Sequence, residues 1–276
     1  MKKELSDIQL MMLDMMKWFH GFCVSKGITY YVVGGTMLGA ARHKGFIPWD
    51  DDIDVGIPRK DYEKLLTEKE LLFKGEKRYV LESFRDGKKD YDYPYAKIYD
   101  THTTLVENCR AKTKRGIFID IFPLDGIGED KETALNNYGP ILKQINFLMT
   151  RTCALRKNRS WVKNAAILMS RLIPSAIISN QKLMHKIDEM CKSRDYESYE
   201  YVGNLVGNWG MKEIMPRIFI GNPTLYQFED AEVYGPEEYD KYLTNVYGDW
   251  RKMPPIEKQK THHDYLHLDL YKSYLE

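Results

Sequence analysis

Four aspartates crowd into five positions of the stretch Pro48-Trp49-Asp50-Asp51-Asp52-Ile53-Asp54-Val55-Gly56, and a fold that buries them has to relieve their charge. Ionised carboxylates this close repel one another unless a cation or a proton compensates them. In an extended chain, residues of equal parity share a face. Asp50, Asp52 and Asp54 therefore fall on one side, while Ile53 and Val55 fall on the other and can enter a core. The pattern predicts a strand with one anionic face, suited to a divalent ion with hard oxygen ligands. Mg²⁺ is commonly held by one or two carboxylates together with a substrate phosphate. A solvated acidic turn is the alternative reading. A calcium loop of the EF-hand type fails on spacing: counted from Asp50, its sixth position is Val55 instead of Gly and its twelfth Asp61 instead of Glu.

The residues upstream supply a second element. Ile28-Thr29-Tyr30-Tyr31-Val32-Val33 is a β-branched and aromatic run that predicts a strand ending at Gly34-Gly35. Paired glycines let the backbone turn sharply and bring N–H groups close to an anion. Thr36 is expected to cap the short helix that follows, whose N-terminus favours phosphate. Arg42, His43 and Lys44 add positive charge just before the acidic stretch. The segment matches neither the P-loop, lacking Gly-Lys-Ser/Thr, nor the dinucleotide fingerprint. Before it, residues 4–26 read as a helix with Met11, Met12, Met15, Met16 and Phe19 recurring at spacings of three and four. That Met stripe reads as core packing.

Further on, Pro58 and Asp61 start a helix through about Leu72. Strands are expected at 79–84, 95–99 and 103–106, with Lys97 inside the second, either projecting into a site or solvated. In Gly116-Ile117-Phe118-Ile119-Asp120-Ile121-Phe122-Pro123-Leu124-Asp125-Gly126, Asp120 is enclosed by Ile and Phe. A carboxylate in an apolar strand is costly unless something pairs with it, and the acidic strand offers a shared cation. Asp125, before Gly126, is expected to begin a turn. The last third predicts a strand over 201–206 and a helix over 237–247. The adjacent His262 and His263 face different ways and make no zinc site.

Whole-chain properties exclude some classes. The chain has 276 residues, 43% hydrophobic and 29% charged, with a net charge of +1. That balance says nothing of a nucleic-acid or acidic partner at the level of the whole chain, and no nucleic acid is expected. Cys23, Cys109, Cys153 and Cys191 form no CxxC pair and fit a reducing compartment. No signal peptide and no membrane-spanning run is expected, so the expected location is the cytoplasm, at most peripheral to the inner face of the membrane. Charge is unevenly spread, however. No acidic residue lies between Thr133 and Ile187, where Lys143, Arg151, Arg156, Lys157, Arg159, Lys163, Arg171, Lys182 and Lys186 accompany Ala165–Met169 and Leu172–Ile178. Basic, apolar helices over 143–186 suit either the interface of an anionic membrane or a positive groove for a polyanionic acceptor; a solvated face is the remaining reading.

Gly-Gly after one strand, Asp52 and Asp54 on a second and Asp120 on a third form a set able to hold one or two Mg²⁺ ions beside a nucleotide's phosphates. The blocks GGTMLGAARHKGFIPWDDDIDVGI, KIYD, GIFIDIFPLDGI and the late YGDW…MPP…HH resemble the LicD family of phosphotransferases, related to fukutin-type ribitol-phosphate transferases. The resemblance is tight over residues 28–126 and looser over 226–263. It implies an α+β fold: a nucleotidyltransferase-like mixed β-sheet core flanked by helices, with an inserted basic helical subdomain. The expected division is 1–130 for the catalytic core, 131–200 for the helical subdomain and 201–276 for a C-terminal part completing the catalytic domain. It further implies transfer of phosphorylcholine, or a related phospho-alcohol, from a CDP-activated donor to a hydroxyl of a lipid-linked glycan such as a lipopolysaccharide or teichoic-acid precursor, with release of CMP. Asp52 and Asp54 are then expected to bind Mg²⁺ or Mn²⁺, with Asp50 as a further ligand. Asp120 either completes the metal site or accepts the acceptor's proton. Gly34, Gly35, Thr36, Arg42, Lys44 and Lys97 are the expected substrate contacts. Glycerol phosphate, ribitol phosphate and phospho-sugars are alternative transferred groups, and a non-catalytic nucleotide- or metal-binding module is the alternative class. For a quaternary ammonium the aromatic candidates are Trp161, Trp209, Tyr226 and Trp250.

Overall fold

The computed structural model describes residues 5–156, 159–174, 177–261 and 265–276; His262, His263, Lys157, Ser175 and Ala176 lie outside the described residues. Helix α1 (Asp7–Lys26) starts at a Ser6–Gln9 capping box and ends at Gly27, whose φ of 60° closes the last turn. Its Met stripe is core: Met12, Met15, Met16 and Phe19 are fully buried. Strand β1 is only Tyr31–Val32. It leads into α2 (Gly34–His43), β2 (Asp54–Pro58), α3 (Arg59–Thr67) and α4 (Lys69–Leu72), the expected single helix being interrupted at Glu68. Strands β3 (Tyr79–Glu82), β4 (Ala96–Asp100), β5 (Thr104–Glu107), β6 (Lys114–Arg115) and β7 (Phe118–Gly128) follow.

The acid-free segment forms α5 (Lys131–Thr152), α6 (Trp161–Leu172) and α7 (Asn180–Cys191). The chain then returns through β8 (Tyr201–Asn204), β9 (Ile214–Pro216), α8 (Arg217–Ile220), β10 (Thr224–Phe228), β11 (Ala231–Gly235), α9 (Tyr239–Tyr247) and β12 (Tyr265–Asp269).

The fold is α+β. A seven-stranded sheet has the path β1-β2-β7-β4-β3, with β8 pairing β7 and β9 pairing β8. Only β2 and β7 run parallel among its described pairs. Strand β7 is central and buried along its whole length, which explains its nearly continuous apolar sequence. Its first half lies between β2 and β4, and its second half pairs with β8. Residues 201–204 and 214–216 thus belong to the same sheet as the N-terminal strands. Tyr242 of α9 accepts a hydrogen bond from Gly34 N–H at 2.8 Å, and Arg42 Nη1 donates to the Trp250 carbonyl at 3.1 Å, so the C-terminal segment is packed on the Gly-Gly element.

Two expectations are corrected in β7 and α2. Asp125 begins no turn; the strand runs on to Gly128, and Asp125 is inside it, fully buried. The following glycines serve close approach instead: a Cβ on Gly126 would meet the Asp195 carbonyl oxygen at 2.4 Å, and one on Gly128 the Ala134 nitrogen at 2.6 Å. Thr36 does not cap α2, whose N-cap is Val33. It lies within the first turn, and its hydroxyl accepts a hydrogen bond from Asp54 N–H at 2.8 Å, fixing the start of β2.

Candidate active site

Register places the key side chains. Asp54 of β2 pairs with Asp120 of β7, and Asp120 pairs in turn with Lys97 of β4. Partners in register project to the same face of a sheet, so carboxylate, carboxylate and ammonium stand side by side. The acidic strand begins only at Asp54. Asp50 to Ile53 approach it outside the ladder, and Ile53 and Val55 are fully buried as their parity required. The carboxylates of Asp50 and Asp54 lean on the first turn of α2. A Cβ on Gly35 would lie 2.8 Å from Asp50 Oδ2, and one on Gly34, where φ is 53°, 3.0 Å from Asp54 Oδ2. The paired glycines therefore make room for the acids. The positive end of the helix dipole there also favours their charge.

These residues face a cavity of about 330 Å³. Gly34, Asp52, Asp54, Lys97 and Asp120 line it, with Tyr93, Tyr95, Phe118 and Phe122 on one wall. Asn204, Trp209 and Glu213 come from the C-terminal part, and Arg156 and Arg159 from the segment after α5. Gly35, Thr36 and Asp50 are not among the lining residues. Arg42 and Lys44 are also outside it: Arg42 turns to His43 and the Trp250 carbonyl, and Lys44 is exposed at the end of α2. Asp51 is likewise outside the lining and accepts a hydrogen bond from Thr261 at 2.5 Å. Of the four aromatic candidates, Trp209 lines the cavity, whereas Trp250 is buried against Asp240, Tyr226 is outside the lining and donates to the Pro236 carbonyl, and Trp161 is exposed.

Electrostatically the floor is strained. Burial, and then the charges of Asp52, Asp120 and Asp50, hold the Asp54 carboxyl well above the usual carboxylate range. Burial pushes Asp120 up to about 6, opposed by Lys97. The Lys97 ammonium is itself buried; desolvation works against its charge, but Asp120 and Glu107 outweigh that and raise its pKa. It lies 3.1 Å from Asp120 Oδ1 and 3.6 Å from Glu107 Oε2, over the rings of Phe118 and Tyr93. The 3.1 Å approach is an ion pair off hydrogen-bond direction, so Asp120 Oδ1 is a buried oxygen with no hydrogen bond. The lysine is therefore no solvated strand residue; it is the counter-charge of Asp120.

Among the described residues, no three His, Cys, Asp or Glu side chains are already gathered at metal-ligand spacing. The donor chemistry of Asp52 and Asp54 nevertheless fits a hard divalent cation: oxygen donors of like charge, with the Asp54 carboxyl raised by burial first and by the Asp52 charge second, both relieved by such an ion. Glu213, Tyr93, Tyr95, Arg156 and Arg159 are site residues that the sequence did not single out as such. Glu213 accepts from Trp209 N–H at 3.0 Å, and burial pushes it up to about 7. No motif surrounds it. The two arginines were visible only as members of a basic run.

The family model described as LicD/FKTN/FKRP, nucleotidyltransferase domain, matches residues 27–147. The lipopolysaccharide cholinephosphotransferase LicD of Haemophilus influenzae is 30% identical over 266 residues, 95% of this chain and 97% of that protein. The chain belongs to the LicD family of phosphotransferases. A shorter match, 49% over 41 residues, joins 15% of the chain to 8% of the human ribitol 5-phosphate transferase FKRP. An uncharacterized protein of Rickettsia prowazekii is 47% identical over 60 residues, 22% of the chain and 21% of that protein. In this LicD-family chain the model match contains Gly34, Asp52, Asp54, Lys97 and Asp120, while Arg156, Arg159, Trp209 and Glu213 lie beyond it.

Proposed function

We propose that the cavity transfers a phosphate-linked alcohol, phosphorylcholine in the first instance, from a CDP-activated donor to a hydroxyl of a glycan acceptor, releasing CMP. The observation that carries the reading is the registered pair Asp54 and Asp120 on adjacent strands, with Asp52 beside them at the floor of the cavity. The full-length relative named as a cholinephosphotransferase supports the class of group transferred, and the human ribitol 5-phosphate transferase supports a phospho-alcohol more generally.

Asp52 and Asp54 would hold a divalent ion, Mg²⁺ or Mn²⁺, which when bound neutralises charge on the donor's diphosphate. Arg156 and Arg159, as cations on the cavity wall, are better placed than Arg42 and Lys44 to meet donor phosphate oxygens. Asp120 already has Lys97 as counter-charge, so we assign it the acceptor hydroxyl's proton. Lys97 keeps that carboxylate oriented. Trp209 is the aromatic surface available to the donor's alcohol or base. A glycan acceptor carried on a lipid would reach the cavity past the basic segment that supplies Arg156 and Arg159.

Incubation with CDP-choline, Mg²⁺ and a glycan acceptor should release CMP, and Asp52→Asn with the fold intact should abolish release. Near-normal turnover in that variant would sink the assignment. Donor identity is read from thermal stabilisation by CDP-choline, CDP-glycerol and CDP-ribitol with Mg²⁺. The ribitol or glycerol reading replaces phosphorylcholine if its donor alone stabilises.

A further inference from the structure

Helix α6 turns its apolar side outward. Only Ile167 and Ser170 of its residues are buried, whereas Trp161, Val162, Leu168, Met169 and Leu172 are exposed, Trp161 by 80% and Leu172 by 73%. Trp161, Leu168 and Leu172 recur at spacings that fall on one helical face. Ile177, beyond the helix, is exposed by 69%. A surface helix of a soluble domain ordinarily does the reverse, and an apolar patch left outside marks a contact with something else.

The charge around α6 says what that is. Two of the nearby arginines are used internally. Arg151 donates to the Asn180 side chain and to the carbonyls of Ser170 and Ile178, and Arg171 donates to the Cys153 carbonyl. They clamp α6 to α5 and to the start of α7, so the outward apolar face is held there by structure. The cations facing solvent include Lys143, Lys163, Lys182 and Lys186, and the sequence between Thr133 and Ile187 contains no acidic residue. Exposed apolar side chains on a segment whose own charges are all positive match an anionic bilayer surface, where acyl chains receive the first and headgroups the second. Asp92, an acid that another segment brings against it, is engaged by Asn180. The same segment borders the cavity, which Met149, Cys153, Ala154, Arg156 and Arg159 help to line.

We propose that α6 and its flanks seat the protein on an anionic phospholipid bilayer, with the apolar face at the headgroup–acyl boundary and the mouth of the cavity at headgroup level. That a lipid-linked acceptor is then delivered to the cavity rests on the function proposed above; the docking itself does not.

The test is co-sedimentation of the full chain with vesicles of phosphatidylglycerol and phosphatidylcholine, against vesicles of phosphatidylcholine alone. Binding is expected to the first, weakened at about 0.5 M NaCl and reduced tenfold or more by the double substitution Trp161→Glu, Leu172→Glu. Ile218→Glu, at a residue 72% exposed on α8, should leave it unchanged. Equal binding to both vesicle types, or full binding by the double variant, overturns the proposal. So does a dimer in size-exclusion chromatography that the double variant dissolves, since a second copy would then cover α6. CMP release with a water-soluble acceptor should be the same in the double variant and the parent. Loss of vesicle binding with that turnover intact separates docking from catalysis, and absence of turnover in both proteins condemns the catalytic reading alone.

Discussion

Asp120 and Asp125 belong to one strand, are both buried, and face opposite sides of the sheet. Asp125 receives Arg59 in a two-pronged contact, Nε at 2.7 Å and Nη2 at 2.6 Å. Arg59 also reaches Asp188 of α7 at 2.8 Å and Glu63 at 3.0 Å, and Arg85 closes the network onto Glu63 and Asp188 at 2.6 Å each. Burial pushes Asp125 up, and the guanidinium fork offsets part of that rise. The result ties α3 and α7 to the sheet. Asp120 instead has one ammonium, a long 3.5 Å hydrogen bond from the Tyr95 hydroxyl to Oδ2, an Oδ1 without a hydrogen bond, and the Asp54 carboxylate across the ladder. A buried acid is thus no sign of function in itself. The acid whose surroundings leave it incompletely satisfied, beside open space, is the one to which we assign the proposed chemistry.

Substitutions on the two faces should fail in opposite ways. Asp54→Asn is expected to lower kcat by about 10³-fold, by removal of a charge-stabilising ligand, while the thermal midpoint stays or rises because a repelling charge is gone. CMP release and a melting curve on the same sample check both halves. Asp125→Ala should do the reverse. Removing one partner of a buried ion pair costs about 3–5 kcal/mol, measured by urea unfolding, with kcat per folded molecule retained. If Asp125→Ala silenced the folded enzyme, the two faces would not be distinct.

Glu213 sharpens the comparison through pH. Its carboxyl goes from an ordinary 4.5 to about 7 in the fold, so the native state holds a proton that the unfolded chain has released. That linkage favours the native state fully below the unfolded value and is lost as pH rises through about 7. Removing it should steady the protein at neutral pH: Glu213→Gln is expected to flatten the decline between pH 4.5 and 7, worth on the order of 3 kcal/mol. A parent stability curve level over that range would contradict it. The smallest effect is expected from Gly35→Ala, where Asp50 Oδ2 at 2.8 Å has to move. A loss of about 1 kcal/mol in unfolding is expected, with a few-fold rise in the Mg²⁺ concentration needed for turnover. A silent Gly35→Ala would mean that the glycine makes no room for the acid.

Much of the candidate active face was legible because local pattern and chemistry coincide there. Gly34-Gly35, the alternation around Asp52 to Val55, and an aspartate enclosed by Ile119 and Ile121 each carry a physical reason within a few residues. The opposite face was not legible. Asp125 before Gly126 has the appearance of a turn, and only the packing of Asp195 and Ala134 against the glycines shows a strand. Arg42 and Lys44 are near the acids in sequence, yet α2 carries them away from the cavity. Glu213, Arg156 and Arg159 arrive from distant segments through the β7–β8 pairing and the end of α5, contacts that no short pattern announces.

Mn²⁺ binding followed by electron paramagnetic resonance tests most directly the claim that the Asp54 face is the metal face. The parent and Asp51→Asn, whose side chain lies outside the cavity, should bind the ion alike, and Asp54→Asn should lose binding at least tenfold. Equal binding by Asp54→Asn, or loss in Asp51→Asn alone, would contradict it.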